Sequence, residues 1–159
     1  MASDPGQGTI FTLRFPAWVE PPIAGAPATP TAPPMRAGRL LVIEDDPGVS
    51  SVLSRWLGRT HQVEAATDGA KALAQVVPGR YDVVLIDLGL PGVPGDQVAK
   101  EVKRLDPEVA TVLVTGWALG ADDPRLVLFD FHLEKPFADL RGVEAVVARA
   151  IELHGQRRR

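Results

Sequence analysis

Along residues 39–156 the apolar side chains fall into two rhythms. Short unbroken runs, Leu40-Leu41-Val42-Ile43 and Val83-Val84-Leu85-Ile86, have the length and β-branched content of strands covered on both faces. Val109 to Val114, the shorter Phe131 to Leu133 and Val63 to Ala66 read as further strands. Between these runs apolar positions recur at helical spacing, so each segment presents one face to a core. The first set is Val49, Val52, Leu53, Trp56 and Leu57; the second is Ala70, Leu73, Ala74 and Val77. Val98, Val102 and Leu105 follow within a helix expected over Asp96 to Leu105, and Leu140, Val143, Val147 and Ile151 mark the last. Asp46-Pro47 supplies a side-chain cap and a first-turn proline, and Asp68 caps the second helix. Only Gly116 to Asp130 is ambiguous, with Asp123-Pro124 as a start for a short helix. Five strands alternating with about five helices predict an α/β fold: a parallel sheet with helices on both faces.

Before this domain the rhythm changes. Residues 18–38 hold Pro21, Pro22, Pro27, Pro30, Pro33 and Pro34 among Ala, Thr and Gly, the composition of an extended linker. Within residues 1–17 only Thr9 to Phe15 alternates as a strand does.

Composition narrows the possibilities. The chain has 159 residues, 45% hydrophobic and 23% charged, enough for one packed domain with additional chain. It contains no cysteine, which excludes a disulfide scaffold, a thiolate zinc site and a cysteine nucleophile. No apolar run approaches the roughly 18 residues of a membrane span, and no secretory leader is evident. A cytoplasmic domain without membrane contact is expected. The net charge of −3 argues against a nucleic-acid binder. Arg157, Arg158 and Arg159 form a short basic tail, read as a solvated end.

Candidate chemistry gathers at the carboxyl ends of the strands, where parallel sheets bind their ligands. The first strand ends in Glu44-Asp45-Asp46, the third in Asp87, the fourth in Thr115, and the fifth in Lys135-Pro136. Singly, Asp46 reads as a helix cap, Thr115 as a turn hydroxyl and Lys135 as a surface charge. Together they are harder to dismiss. Clustered carboxylates repel unless a cation compensates, and such an oxygen set suits Mg²⁺.

These residues sit in LLVIEDDP (40–47), LIDLGLPGVPG (85–95), VLVTG (112–116) and EKPF (134–137). In this order and spacing, residues 39–153 resemble a receiver domain, the phosphoacceptor module of two-component signalling. The resemblance implies a flavodoxin-like sheet of order 2-1-3-4-5. It makes Asp87 the phosphorylated residue, with a phosphohistidine on a histidine kinase or histidine phosphotransfer domain as donor. Asp45, Asp87 and the backbone carbonyl of Gly89 would bind Mg²⁺, with Glu44 acting through a metal-bound water. Thr115 and Lys135 would contact the phosphoryl group, and Pro136 matches a cis-proline that aims the lysine inward.

Three positions depart from the family pattern. Gly89, two residues after Asp87, has no side chain to orient an attacking water, so at most slow self-dephosphorylation is expected. His132 stands where the family places Tyr or Phe; an edge-strand histidine is more often a half-exposed packing residue. The segment between Thr115 and Lys135 is short and contains Pro124, so an irregular fourth helix is expected. Trp117, two residues past Thr115, reads either as a cover for the site or as a loop anchor.

The stretch Gly6 to Pro16 resembles the last glycine box and final strand of a histidine-kinase ATP-binding domain. That implies a hybrid histidine kinase, with membrane attachment of the parent chain left open: a kinase remnant (1–17), a linker (18–38), a receiver (39–156) and a basic tail (157–159). Other classes fit less well. An aspartyl-phosphate hydrolase commonly carries a second Asp where Gly89 stands. A flavin or nucleotide module needs a phosphate loop where Glu44-Asp45-Asp46 would repel phosphate. A non-phosphorylated interaction module would have no use for the intact acidic set.

Overall fold

The computed structural model describes residues 2–4, 8–10, 36–120 and 122–159. It contains two separate units, Met1–Pro33 and Pro34–Arg159. In the first, Ala2–Asp4 and Gly8–Ile10 pair antiparallel. The expected strand over Thr9 to Phe15 overlaps this second strand at Thr9 and Ile10; its remainder lies outside the described residues, as do residues 18–35 of the expected linker.

Numbered within the second unit, the strands are β1 (Arg39–Ile43), β2 (Gln62–Ala66), β3 (Val83–Asp87), β4 (Ala110–Thr115) and β5 (Phe131–Glu134). All neighbours are parallel, and the order is β2-β1-β3-β4-β5, the 2-1-3-4-5 sheet expected above. The helices are α1 (Pro47–Leu57), α2 (Gly69–Gln75), α3 (Gly95–Leu105) and α4 (Leu140–Arg157). Where the fourth of the expected helices would stand, between β4 and β5, there is a 3₁₀ turn, Pro124–Leu128, capped by Asp123. The short, proline-led segment supplies few turns, which fits the irregularity expected there.

The strand period of two divides the core. Leu40, Val42, Val83, Leu85, Val112 and Val114 pack with Leu53 and Leu57 of α1 and Val143, Val147 and Ile151 of α4. The alternate residues Leu41, Ile43, Val84 and Ile86 pack with Ala72 of α2 and Val98, Ala99 and Val102 of α3. Covering on both faces explains why β1, β3 and β4 are mostly apolar without alternation. The two edge strands are only partly buried.

Two helix faces differ from the sequence expectation. Val52 is 47% exposed: α1 has more apolar positions than one face holds, and Val52 falls beyond the sheet-facing stripe. In α2 the buried residues are Gly69 and Ala72, followed by Val76 just past its end, while Ala70 and Ala74 are exposed. The helix stops at Gln75, ahead of Pro78, so Val77 lies outside it and is exposed. The arginine end is also more structured than a free tail. Arg157 closes α4 and pairs with Asp130, and Arg158 lies 3.4 Å from Glu108.

Candidate functional site

The ends of β1, β3 and β5 bring Glu44, Asp45, Asp87 and Lys135 together, and Thr115 ends β4, the strand between β3 and β5. Glu44 leaves β1 with its side chain turned into the protein, 1% exposed, whereas Asp45 is exposed beside it. Asp46 turns away to cap α1, its Oδ1 accepting from the N–H groups of Gly48 (2.7 Å) and Val49 (2.9 Å). Asp46 is thus a cap, as its position before Pro47 suggested. Asp87 ends the central strand and is 6% exposed. Carboxylate oxygens of Glu44, Asp45 and Asp87 lie within 4.8 Å of one another.

Lys135 reaches this cluster from the end of β5. Its Nζ lies 3.1 Å from Asp87 Oδ1 and donates to Glu44 Oε2 at 3.0 Å. Its backbone N–H donates to the Thr115 carbonyl at 2.7 Å, which continues the β4–β5 ladder past the strand end, and the Lys135–Pro136 peptide is cis. Burial pushes the Glu44 carboxyl above the usual carboxylate range, aided by the charge of Asp87 and opposed by the Lys135 ammonium. For Lys135 burial works against the charge, yet the hydrogen bonds to Glu44 and Asp87 outweigh it and hold the ammonium above its ordinary value. One cation shared between two carboxylates relieves their mutual repulsion.

Thr115 is 3% exposed, and its Oγ1 accepts from the Trp117 N–H at 3.0 Å. Gly89 is exposed; a Cβ there would stand 3.4 Å from Asp87 Oδ2. Gly95 is a stricter requirement. A Cβ at that position would meet the Asp87 carbonyl oxygen at 2.0 Å, so only glycine lets the start of α3 approach the strand end this closely. His132 is exposed on β5.

The donor set is all oxygen, with two buried carboxylates and one exposed carboxylate leaving an open side. That chemistry fits Mg²⁺, which binds through one or two carboxylates and keeps several waters. The carboxylates converge because β1 and β3 are adjacent, in register from Leu40↔Val83 to Ile43↔Ile86. Sequence reasoning did not find the apolar groove of about 580 Å³ beside the site, lined by Gly48, Val49, Val52, Lys135, Pro136 and Phe137. The surplus apolar position at Val52 was its one available signal.

Comparison with known proteins bears on the family and the fold. The family model for the response regulator receiver domain matches residues 40–146. The transcriptional regulatory protein TcrA of Mycobacterium tuberculosis is 34% identical over 116 residues, covering 66% of this chain and 45% of that protein. The chain thus spans less than half of that relative. The response regulator TrrA of Thermotoga maritima, solved in complex with Mg²⁺ and BeF, superposes with a TM-score of 0.65 at 26% identity, covering 70% of this chain and 97% of that one. The receiver domain of the sensor histidine kinase PA1611 from Pseudomonas aeruginosa, solved with magnesium in its active-site cleft, gives 0.66 at 25% identity, covering 73% and 98%.

Proposed function

Because the chain belongs to the response regulator receiver family, we propose that it accepts a phosphoryl group on Asp87 from a phosphohistidine. The observation that carries this reading is the placement of Asp87: a carboxylate at the end of the central strand, 3.1 Å from Lys135 and clustered with Glu44 and Asp45. In the transfer, an Asp87 carboxylate oxygen bonds to phosphorus as the phosphorus–nitrogen bond breaks, and the departing imidazole takes up a proton. Two like charges must approach, so their repulsion has to be screened. Lys135 supplies one positive charge already in place. Mg²⁺, held by Asp45, Asp87 and the Gly89 carbonyl with Glu44 beside them, would supply further screening of the phosphoryl oxygens. Thr115 would donate its hydroxyl to one of those oxygens. With no side chain at Gly89 to place a water, the acyl phosphate is expected to hydrolyse slowly. The domain is then a phosphorelay station whose partners are a histidine kinase or a histidine phosphotransfer domain.

The test is incubation with Mg²⁺ and acetyl phosphate, followed by intact-mass measurement. One added phosphoryl group, lost on treatment with hydroxylamine, is expected; an unchanged mass under these conditions contradicts the proposal.

The same reading places the domain in a hybrid sensor kinase. Its support is the similarity to the PA1611 receiver domain and the likeness of Gly6 to Pro16 to the end of a kinase ATP-binding domain. No described helix is long and apolar enough to cross a membrane.

A further inference from the structure

At the end of the sheet opposite Asp87, buried polar groups grip the chain as it enters the domain. Gly38, just before β1, donates its N–H to His61 Nδ1 at 3.1 Å, and its carbonyl accepts from the Gln62 N–H at 2.9 Å. The next N–H, that of Arg39, donates to Asp82 Oδ2 at 2.8 Å. Two successive N–H groups are thus taken by side chains, one ahead of β2 and one ahead of β3. Gly38 also abuts α4, where a Cβ at its position would stand 2.6 Å from Ile151 Cδ1. Arg36 borders the same helix farther along, at Gly155 and Gln156.

His61 is 6% exposed, and its two nitrogens are in unequal positions. Nδ1 accepts from Gly38, so the ring is neutral and carries its proton on Nε2. Nε2 is buried without a partner among the described residues. A second proton, on Nδ1, would point at the Gly38 N–H, and the charged ring would have no acceptor at either nitrogen. The neighbouring charges do not change this. Glu144 of α4 favours a charged ring, and burial outweighs it. At the end of α1, Arg55 is exposed and Arg59 lies 4.9 Å from the Trp56 ring centre. Arg39 is turned to Asp82 and the Gly79 carbonyl, His154 of α4 lies 3.2 Å from Asp82, and Glu64 of β2 pairs with Arg80.

We propose that His61 is a latch on the entry of the chain. Neutral, it holds residues 36–38 against β2 and α4; protonated, it releases them while the sheet from Arg39 onward stays folded. The inference does not depend on the phosphoacceptor reading. A closed junction and a charged ring exclude one another, so acid shifts the junction toward the open form. With the latch closed, the preceding chain is attached at a fixed point beside the end of α4. With it open, Arg39 becomes the first fixed residue.

Amide hydrogen exchange of the full chain, followed by NMR and expressed relative to each amide's intrinsic rate, tests this. Long-range ¹H–¹⁵N spectra at about pH 7.5, above the ordinary histidine pKa, should place the His61 proton on Nε2. Between there and about pH 5.5, protection at Gly38 and Gln62 should fall about tenfold. Low urea should leave this exchange unchanged, as for a local opening, while speeding that of Val84 in the central strand. His61→Gln, whose amide oxygen accepts but does not titrate, should keep Gly38 protected and remove the pH dependence. The proposal is overturned by a proton on Nδ1 at neutral pH, by pH-independent protection at Gly38, or by a pH dependence that survives in His61→Gln. Gly38 exchange that rises with urea in step with Val84 overturns it too, because the junction then opens only with the whole domain. The wild-type measurements decide if the His61→Gln chain does not fold.

Discussion

The Lys135 ammonium lies 3.1 Å from an Asp87 carboxylate oxygen, so the nucleophile proposed here is already paired with a cation on the neighbouring loop. The same Nζ also binds Glu44, which is almost wholly buried. One residue therefore offsets part of the negative charge of the site at rest and would be free to turn toward an arriving phosphoryl group.

Lys135→Met should leave Glu44 and Asp87 without their shared cation. Breaking a fully buried pair costs about 3–5 kcal/mol; Lys135 keeps 20% exposure, so a loss of about 2 kcal/mol is expected by urea unfolding without metal. Adding Glu44→Gln should recover most of it. A loss below about 0.5 kcal/mol, the range of ordinary surface substitutions, would mean that the pairing carries little stability.

Gly95→Ala should be among the most damaging single-methyl changes in the domain. The added carbon would overlap the Asp87 carbonyl oxygen, which belongs to backbone and has no rotamer to escape into. We expect a loss of about 3 kcal/mol or more, at the upper end for overpacking, together with reduced phosphorylation as Asp87 is displaced. Thermal unfolding and the acetyl phosphate reaction measure the two effects; near-native stability would contradict the close approach.

Much of this architecture was legible beforehand because it follows from local rules. Apolar runs without alternation required a sheet covered on both faces, and β3, β4 and all of β1 after Arg39 are buried. Asp46 before Pro47 read as a cap and is one. The faces of α1 and α2 were less legible. Val52 and Val77 are apolar at helical spacing yet exposed: Val52 falls beyond the sheet-facing stripe of α1, and α2 ends at Gln75, before Val77. Least legible were contacts between side chains distant in sequence. Nothing near His61 announces that its Nδ1 accepts from the Gly38 N–H, or that Asp130 joins Lys103 to Arg157. At the site, the acids and the lysine were found by their place at strand ends, whereas the Trp117 N–H bond to Thr115 is a backbone detail that residue type does not encode.

His61 gives the domain a defined pH response. Burial lowers its pKa below the ordinary 6.5, opposed by the charge of Glu144. Its Nδ1 accepts from Gly38, so protonation there also forfeits a hydrogen bond. The unfolded chain binds the proton more readily than the folded one, so stability rises with pH across this window. It is fully present above the unfolded pKa and is lost as pH falls from there through the lowered folded value. Urea unfolding at a series of pH values below about 7 should show that slope, and His61→Gln should flatten it. A slope unaltered by the substitution would assign it to another group.

Asp45→Ala should separate metal binding from stability. The carboxylate is exposed and stands beside two others, so its removal relieves repulsion. Without metal the variant should unfold within about 0.5 kcal/mol of the wild type or be slightly more stable. The stabilisation that added Mg²⁺ gives the wild type should shrink strongly. A large destabilisation of the metal-free variant would instead assign Asp45 a structural role.

The most direct measurement locates the phosphoryl group. After reaction with acetyl phosphate and Mg²⁺, borohydride reduction converts a phosphorylated aspartate to homoserine, which tandem mass spectrometry places in the sequence. Homoserine at position 87 and at none of the other acids, with no label in Asp87→Asn while that variant remains folded, is the predicted result. Label at Asp45 or Asp46, or labelling of Asp87→Asn at the wild-type rate, would contradict the assignment.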